Sequence, residues 1–342
     1  MGSRPSIIRP VERFIVGTGR CGSTLLSRML AECPAAASLC EVLNGLDSAR
    51  RFQREPMTGP EFAAFVTAEQ PVLTATLRRG YPVEEVVYPF ERGRFRRGEP
   101  MPYLAGACLP RLTEDPDALL DALLAFARAL PPAPPAEQYR RLFAWLAERH
   151  GRAHWIERSG SSIEYLPALA EAFPGARFLH LHRDGRETAL SMREHHAYRV
   201  PISLLYQAPV EAGRPATDFG PIDFSAAPRP GDPISRILAA RPPAEFFGRY
   251  WSDQLVRGLP AAAHLPPGHW LALRFEELLE KPEDALRRAA ELFELPRGPW
   301  IARAAALVRG APPARFPGLP AEEAGRLAEA CRPGEALLRR AP

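Results

Sequence analysis

Two stretches of this chain combine residue types and spacings that suit an anionic substrate. The first is Phe14 to Leu26, FIVGTGRCGSTLL. A short apolar run ends at Gly17, glycines recur at Gly19 and Gly22, and helical spacing begins at once with Leu25, Leu26, Met29 and Leu30. Glycine lets a backbone turn tightly and approach a ligand closely. The first amides of the helix, at Gly22, Ser23 and Thr24, have no intrahelical acceptor. They lie at the positive end of the helix dipole and form an anion cradle. Arg20, inside the loop, adds a planar guanidinium that suits phosphate or sulfate oxygens. The second stretch is Arg177 to Ser191, RFLHLHRDGRETALS. A strand ends at Arg183 and Asp184 is placed to cap a helix running to about Arg193. Arg183 at the strand end and Ser191 two turns into the helix can converge on one phosphate.

Both stretches need a parallel sheet to bring them together, and the rest of the chain supplies its parts. Short apolar runs at Phe14 to Val16, Ala37 to Cys40, His154 to Ile156, Arg177 to His182 and Trp270 to Leu273 read as strands. Helical spacing fills 115–130, 136–150, Ile163 to Phe173, 243–259, 283–294, 298–308 and 320–331. Residues 199–242 are dense in Pro, Gly and Asp and read as a long irregular excursion, a candidate lid. Residues 45–110 hold only short amphipathic pieces such as 61–68. Strands alternating with helices predict an α/β fold, a P-loop-like three-layer sandwich with a mainly parallel sheet. Its ligand belongs beyond the carboxyl ends of the strands. The 342 residues are read as a single domain, 1–342.

The loop is close in spacing to a P-loop and departs from it in charge. A P-loop places lysine at position 23, where this chain has Ser23, and the cation here is Arg20. That disfavours hydrolysis of a nucleoside triphosphate. Instead Arg20-Cys21-Gly22-Ser23-Thr24-Leu25-Leu26 resembles the 5′-phosphosulfate loop of sulfotransferases, typically Lys or Arg followed by Ser-Gly-Thr-Thr. The Arg183–Ser191 pair resembles the 3′-phosphate motif of the same family, at the family's distance from the loop. Trp155-Ile156-Glu157-Arg158-Ser159, with Tyr165-Leu166 and Phe173-Pro174, is similar to the segment preceding that motif in the bacterial, carbohydrate and tyrosyl-protein branch. Leu273-Arg274-Phe275-Glu276-Glu277-Leu278 resembles a downstream Arg-Tyr-Glu-Asp-Leu segment. No resemblance covers 45–110 or 195–245, which are expected to be variable insertions shaping the acceptor pocket.

The resemblance implies transfer of a sulfuryl group from 3′-phosphoadenosine 5′-phosphosulfate to a hydroxyl or amine of a small-molecule or carbohydrate-like acceptor. The product nucleotide is 3′-phosphoadenosine 5′-phosphate, and no metal is implied. Carried over by position, Gly19, Arg20, Cys21, Gly22, Ser23, Thr24 and Leu25 hold the 5′ side. Arg183, Ser191 and, in the C-terminal part, Arg315 hold the rest of the nucleotide. Glu41 stands where many carbohydrate and tyrosyl-protein sulfotransferases carry the catalytic glutamate, and is the candidate base. Arg158 matches a lysine that touches the transferring group, and Arg20 is the candidate for stabilising the leaving phosphosulfate. Other readings stay open. Glu41 is alternatively a solvated strand-end glutamate, and Arg158 the partner of Glu157 or Asp184. His195, His196 and Glu157 are alternative bases. The chain as a whole is alternatively another P-loop nucleotide enzyme, such as a small-molecule kinase, or a nucleotide-binding homologue without catalysis.

Composition agrees with a pocket for a small anion. The net charge is +4, too mild and too evenly spread to argue for nucleic acid. Lys281 is the only lysine. No apolar run reaches the roughly 18 residues of a membrane-spanning helix, and Met1 to Arg13 has no signal-peptide core. Cys21, Cys33, Cys40, Cys108 and Cys331 contain no CxxC pair, so a disulfide framework or zinc site is not expected and a reduced, cytoplasmic setting is. Oligomeric state is not legible.

Overall fold

A computed structural model describes residues 11–340. The reading of Met1 to Pro10 therefore lies outside the described residues. Five strands form one parallel sheet: β1 (Arg13–Val16), β2 (Ala36–Cys40), β3 (His154–Arg158), β4 (Arg177–His182) and, last in the chain, β7 (Trp270–Arg274). Between them in sequence, β5 (Pro209–Glu211) and β6 (Arg214–Pro215) form a separate small hairpin. The sheet order is β2-β3-β1-β4-β7. β1 thus lies at the centre, in register with β3 (Ile15 beside Arg158) and with β4 (Val16 beside His180).

Alternation along the strands assigns the two faces. Phe14, Val16, Leu39, Trp155 and Phe178 enter one core; Ile15, Ile156, Leu179, Leu181 and Leu273 enter another. The first core is closed by the helices Pro135–Arg149 and Ala244–Gly258, through Leu142, Phe143, Phe247 and Trp251. The second is closed by Ser23–Ala31 and Pro282–Leu292, through Leu26, Met29, Leu286 and Ala289. Apolar side chains on both faces explain why the strands read as continuous apolar runs. The result is the expected α/β arrangement, a mainly parallel sheet between two helical layers.

Residues 199–242 are irregular only in part, with the longest irregular run at 220–232. The chain makes a helix at His196–Leu205, the β5–β6 hairpin and a helix at Pro233–Ala239. Pro201 hid the first helix in the sequence. It removes one amide, but burial of Val200 and Ile202 holds the turn. Asp232 caps the other helix by accepting from the Ser235 amide at 3.0 Å. The stretch 45–110 likewise contains helices at Gly59–Val66, Pro71–Arg78 and Tyr103–Ala107. The two stretches without family resemblance share a core, in which Ala75 packs with Val200, Ile234, Ile237 and Leu238.

Candidate active site

The segments that follow all five sheet strands meet at one end of the sheet. Gly17 to Gly22 follows β1, Glu41 follows β2, Ser159 to Ser161 follows β3, Arg183 follows β4, and Phe275 follows β7. This is the crevice where open parallel sheets bind ligands. It holds two adjoining cavities that share Glu41, Glu85 and Tyr198 as lining.

The larger cavity, about 370 Å³, is lined by Gly19, Arg20, Gly22, Ser23 and Thr24 of the loop, and by Arg183, Ser191 and Arg315. The loop turns through left-handed backbone at Gly19 (φ 76°), Arg20 (φ 54°) and Gly22 (φ 93°). Gly22 has a second constraint: a Cβ there would lie 2.1 Å from Cδ2 of Phe275. The first helical bond runs from the Leu26 amide to the Gly22 carbonyl at 3.2 Å, so the amides of Ser23 and Thr24 precede the helical ladder. Cys21 and Leu25 are placed differently from the other loop residues. The Cys21 side chain is wholly buried and turns into the core, with Leu25 packed beside that core, and neither lines the cavity.

Both phosphate candidates from the second stretch reach the same cavity. Asp184 caps its helix as predicted, accepting from the amides of Arg186 (2.9 Å) and Glu187 (3.2 Å). Ser191 is buried, and its Oγ accepts from Nε of Arg20 at 3.3 Å. Arg183 lies over the Phe275 ring at 5.2 Å. Burial is the main influence on its guanidinium and lowers its pKa, with Glu187 and Glu276 opposing. Arg315 is brought close because Glu187 accepts its backbone amide at 2.9 Å.

Glu41 and Arg158 form a buried ion pair, each side chain 2% exposed. Glu41 is therefore not a solvated strand-end residue, and the partner of Arg158 is neither Glu157 nor Asp184. The other oxygen of Glu41 accepts from Nδ2 of Asn44 (2.6 Å) and the Gly160 amide (3.0 Å). Glu41 itself is left-handed, at φ 60°. Burial works against the charge of Arg158, but Glu41 outweighs it and raises the pKa. Nε and Nη2 of Arg158 are buried without a partner, and the side chain lines the larger cavity.

Several residues here carry no signal in the sequence. Glu84 and Glu85 pair with Arg20 at 2.8 and 3.4 Å. Glu85 also meets Nε2 of His195 at 2.9 Å. Burial disfavours the Glu85 carboxylate, yet His195 and Arg20 prevail and hold its pKa at about 2. Arg111 donates to the Glu85 carbonyl at 2.8 Å. Tyr198 closes over the loop, since a Cβ on Gly19 would fall 1.8 Å from its Oη. These residues come from 81–112 and the helix His196–Leu205, where no motif marks them. Only Phe275 stood inside a quoted segment. His196 packs on Tyr81 at 4.7 Å and lines neither cavity, nor does Glu157.

Five arginines (Arg20, Arg111, Arg158, Arg183, Arg315) and three glutamates (Glu41, Glu84, Glu85) line the larger cavity, an excess of two positive charges. The net positive lining and the glycine-rich loop suit an anionic ligand. Among the described residues, no group of His, Cys, Asp and Glu is arranged to hold a metal ion, and no helix is long and apolar enough to cross a membrane. All five cysteines are buried and unpaired.

Residues 111–208 match a family model described as the sulfotransferase family. No curated protein matches the chain in sequence. Among solved structures, the chain is similar to the sulfotransferase domain of the curacin biosynthetic pathway: 15% identity, TM-score 0.47, covering 94% of this chain and 96% of that one. It is also similar to the sulfotransferase STF9 of Mycobacterium avium: 19% identity, TM-score 0.43, covering 97% and 77%. A sulfotransferase of Alicyclobacillus acidocaldarius has 18% identity and TM-score 0.40, covering 98% and 96%. The residues matched by that family model, 111–208, contain Arg158, Arg183 and Ser191 of the cavity.

Proposed function

We propose that the chain transfers a sulfuryl group from 3′-phosphoadenosine 5′-phosphosulfate to a hydroxyl or amine of a small acceptor, with Glu41 as the base. The observation that carries this reading is the convergence of the glycine loop, the Arg183–Ser191 pair and the Glu41–Arg158 pair at the carboxyl ends of the sheet strands. Arg20 and the amides of Ser23 and Thr24 hold the 5′ side, while Arg183, Ser191 and Arg315 hold the 3′-phosphate. Glu41, at the junction of the cavities, takes the proton from the acceptor. The acceptor oxygen or nitrogen forms a bond to sulfur as the bond from sulfur to the phosphate oxygen breaks. Arg20 and Arg158, both lining the larger cavity, meet the charge that grows on the leaving side. No residue at position 23 supplies the lysine that a phosphoryl-transferring P-loop uses.

The nucleotide tests this reading. A ligand that binds only the folded state raises its stability with concentration. 3′-Phosphoadenosine 5′-phosphate should raise the melting temperature at concentrations where AMP does not, and Arg183→Ala should narrow the gap. Equal stabilisation by the two nucleotides would overturn the assignment of Arg183 and Ser191.

A further inference from the structure

All three nitrogens of the Arg20 guanidinium have partners within the protein. Nε donates to Oγ of Ser191 at 3.3 Å. Nη1 meets Oε1 of Glu85 at 3.4 Å, and Nη2 donates to Oε2 of Glu84 at 2.8 Å. Both carboxylates line the larger cavity beside Gly19, Ser23 and Thr24 of the loop. The two glutamates are held differently. The Glu85 side chain is 15% exposed, and its second oxygen lies 2.9 Å from Nε2 of the buried His195. Its backbone is also fixed, since its carbonyl accepts from Nη1 of Arg111 at 2.8 Å. The Glu84 side chain is 65% exposed. Among the described residues, Arg20 is its one hydrogen-bond and ion-pair partner.

A carboxylate on Arg20 takes the place of a phosphate or sulfate oxygen, because all accept the same charge-assisted bond from a guanidinium. An anion that uses Arg20 must therefore displace one of its partners. Moving Glu85 separates a mostly buried charge from two cations, which is costly. Moving Glu84 needs only a side-chain rotation into water, and an exposed ion pair holds it weakly. We propose, resting on the reading of Arg20 as the 5′-side cation, that Glu84 is an intramolecular competitor of the donor. It caps Nη2 of Arg20 and swings out when the phosphosulfate end arrives, while Glu85 and Ser191 keep the guanidinium in place. The affinity of any anion for Arg20 is then lowered by the fraction of molecules in which Nη2 is free. That factor is common to every ligand that uses Arg20. A small anion held by the loop alone is left weakly bound, whereas a nucleotide that also reaches Arg183 and Ser191 has further contacts to hold it.

The test is calorimetric titration of the full chain, at one low salt concentration, with 3′-phosphoadenosine 5′-phosphate and with inorganic pyrophosphate. Four proteins are compared: wild type, Glu84→Gln, Arg20→Ala and the double variant. Glu84→Gln should bind both ligands more tightly, by about 1.5- to 5-fold, the worth of an exposed ion pair. The factor should be the same for both ligands. In the Arg20→Ala background the gain should vanish, because no guanidinium remains to be capped. No gain for a ligand that binds the wild type would overturn the proposal. So would an equal gain with and without Arg20, which reports only a negative charge removed from the cavity. The two probes separate this proposal from the donor reading. Pyrophosphate tightened by Glu84→Gln, with 3′-phosphoadenosine 5′-phosphate ignored, defeats the donor reading and spares Glu84. The nucleotide bound in preference to AMP, with no gain from Glu84→Gln, does the reverse. Binding of neither probe to any of the four proteins defeats both.

Discussion

Glu41→Gln is the most informative perturbation, because its two effects have different origins and can be measured separately. The carboxylate meets only donors: Arg158 on one oxygen, Asn44 and the Gly160 amide on the other. Glutamine has one oxygen and one NH₂ group, so in either orientation its nitrogen faces a donor. It also leaves Arg158 as a buried charge without its partner. Breaking a buried pair from one side costs about 3–5 kcal/mol, so the melting temperature should fall clearly. Turnover should fall further than that loss explains. Removal of a general base costs about 10² to 10⁴ in rate, or about 3–5 kcal/mol of barrier. Measured below the melting transition with saturating donor, kcat should drop by that factor. Affinity for 3′-phosphoadenosine 5′-phosphate should barely change if, as proposed, the arginines of the larger cavity carry the nucleotide. Should Glu41→Gln fail to fold, Glu41→Asp serves instead. It keeps a negative charge opposite Arg158 but withdraws it by one methylene, so turnover should fall with a smaller loss of stability. A folded Glu41→Gln protein with near-wild-type kcat would refute the reasoning and move the role to His195, the remaining candidate base lining the smaller cavity.

Arg20→Ala should lower both nucleotide affinity and turnover, by about 10² to 10³ in rate, and Arg20→Lys should restore much of it; a silent Arg20→Ala in a single-turnover assay would remove Arg20 from the leaving-group role. Glu157 provides a pH test. Burial is the main cause raising its pKa to about 7 from an ordinary 4.5, with Glu41 adding and Ser159 and Arg158 opposing. Between those values the folded state binds more protons than the unfolded, so this group's contribution to stability falls as pH rises from about 4.5 to about 7, by at most about 3 kcal/mol. Glu157→Gln should flatten that fall in melting curves from pH 5 to 8, and an unchanged slope would show that Glu157 is not its source.

Much of the architecture and part of the site are legible in the sequence, for a local reason. The strand, glycine turn and helix at Phe14 to Leu26 depend on residues that are neighbours in the chain, and so does the Asp184 cap ahead of Ser191. Apolar runs with both faces buried mark parallel strands without any partner being known. Arg20, Arg183, Ser191 and Glu41 could therefore be named from their spacing and the family they resemble. Which charges meet was a different matter. The pairing of Arg158 with Glu41 follows from β2 and β3 lying side by side, with Cys40 in register with Arg158. No local spacing encodes a pairing across a separation of 117 positions. Glu84 and Glu85 reach Arg20, and Arg111 reaches the Glu85 carbonyl, from a stretch with no motif. Tyr198 arrives on a helix whose Pro201 disguised it. Local patterns determined the frame and the loop and helix residues that line the larger cavity. Long-range packing alone decided which buried charges neutralise one another, because burial makes an unpaired charge costly and only the folded chain selects the partners.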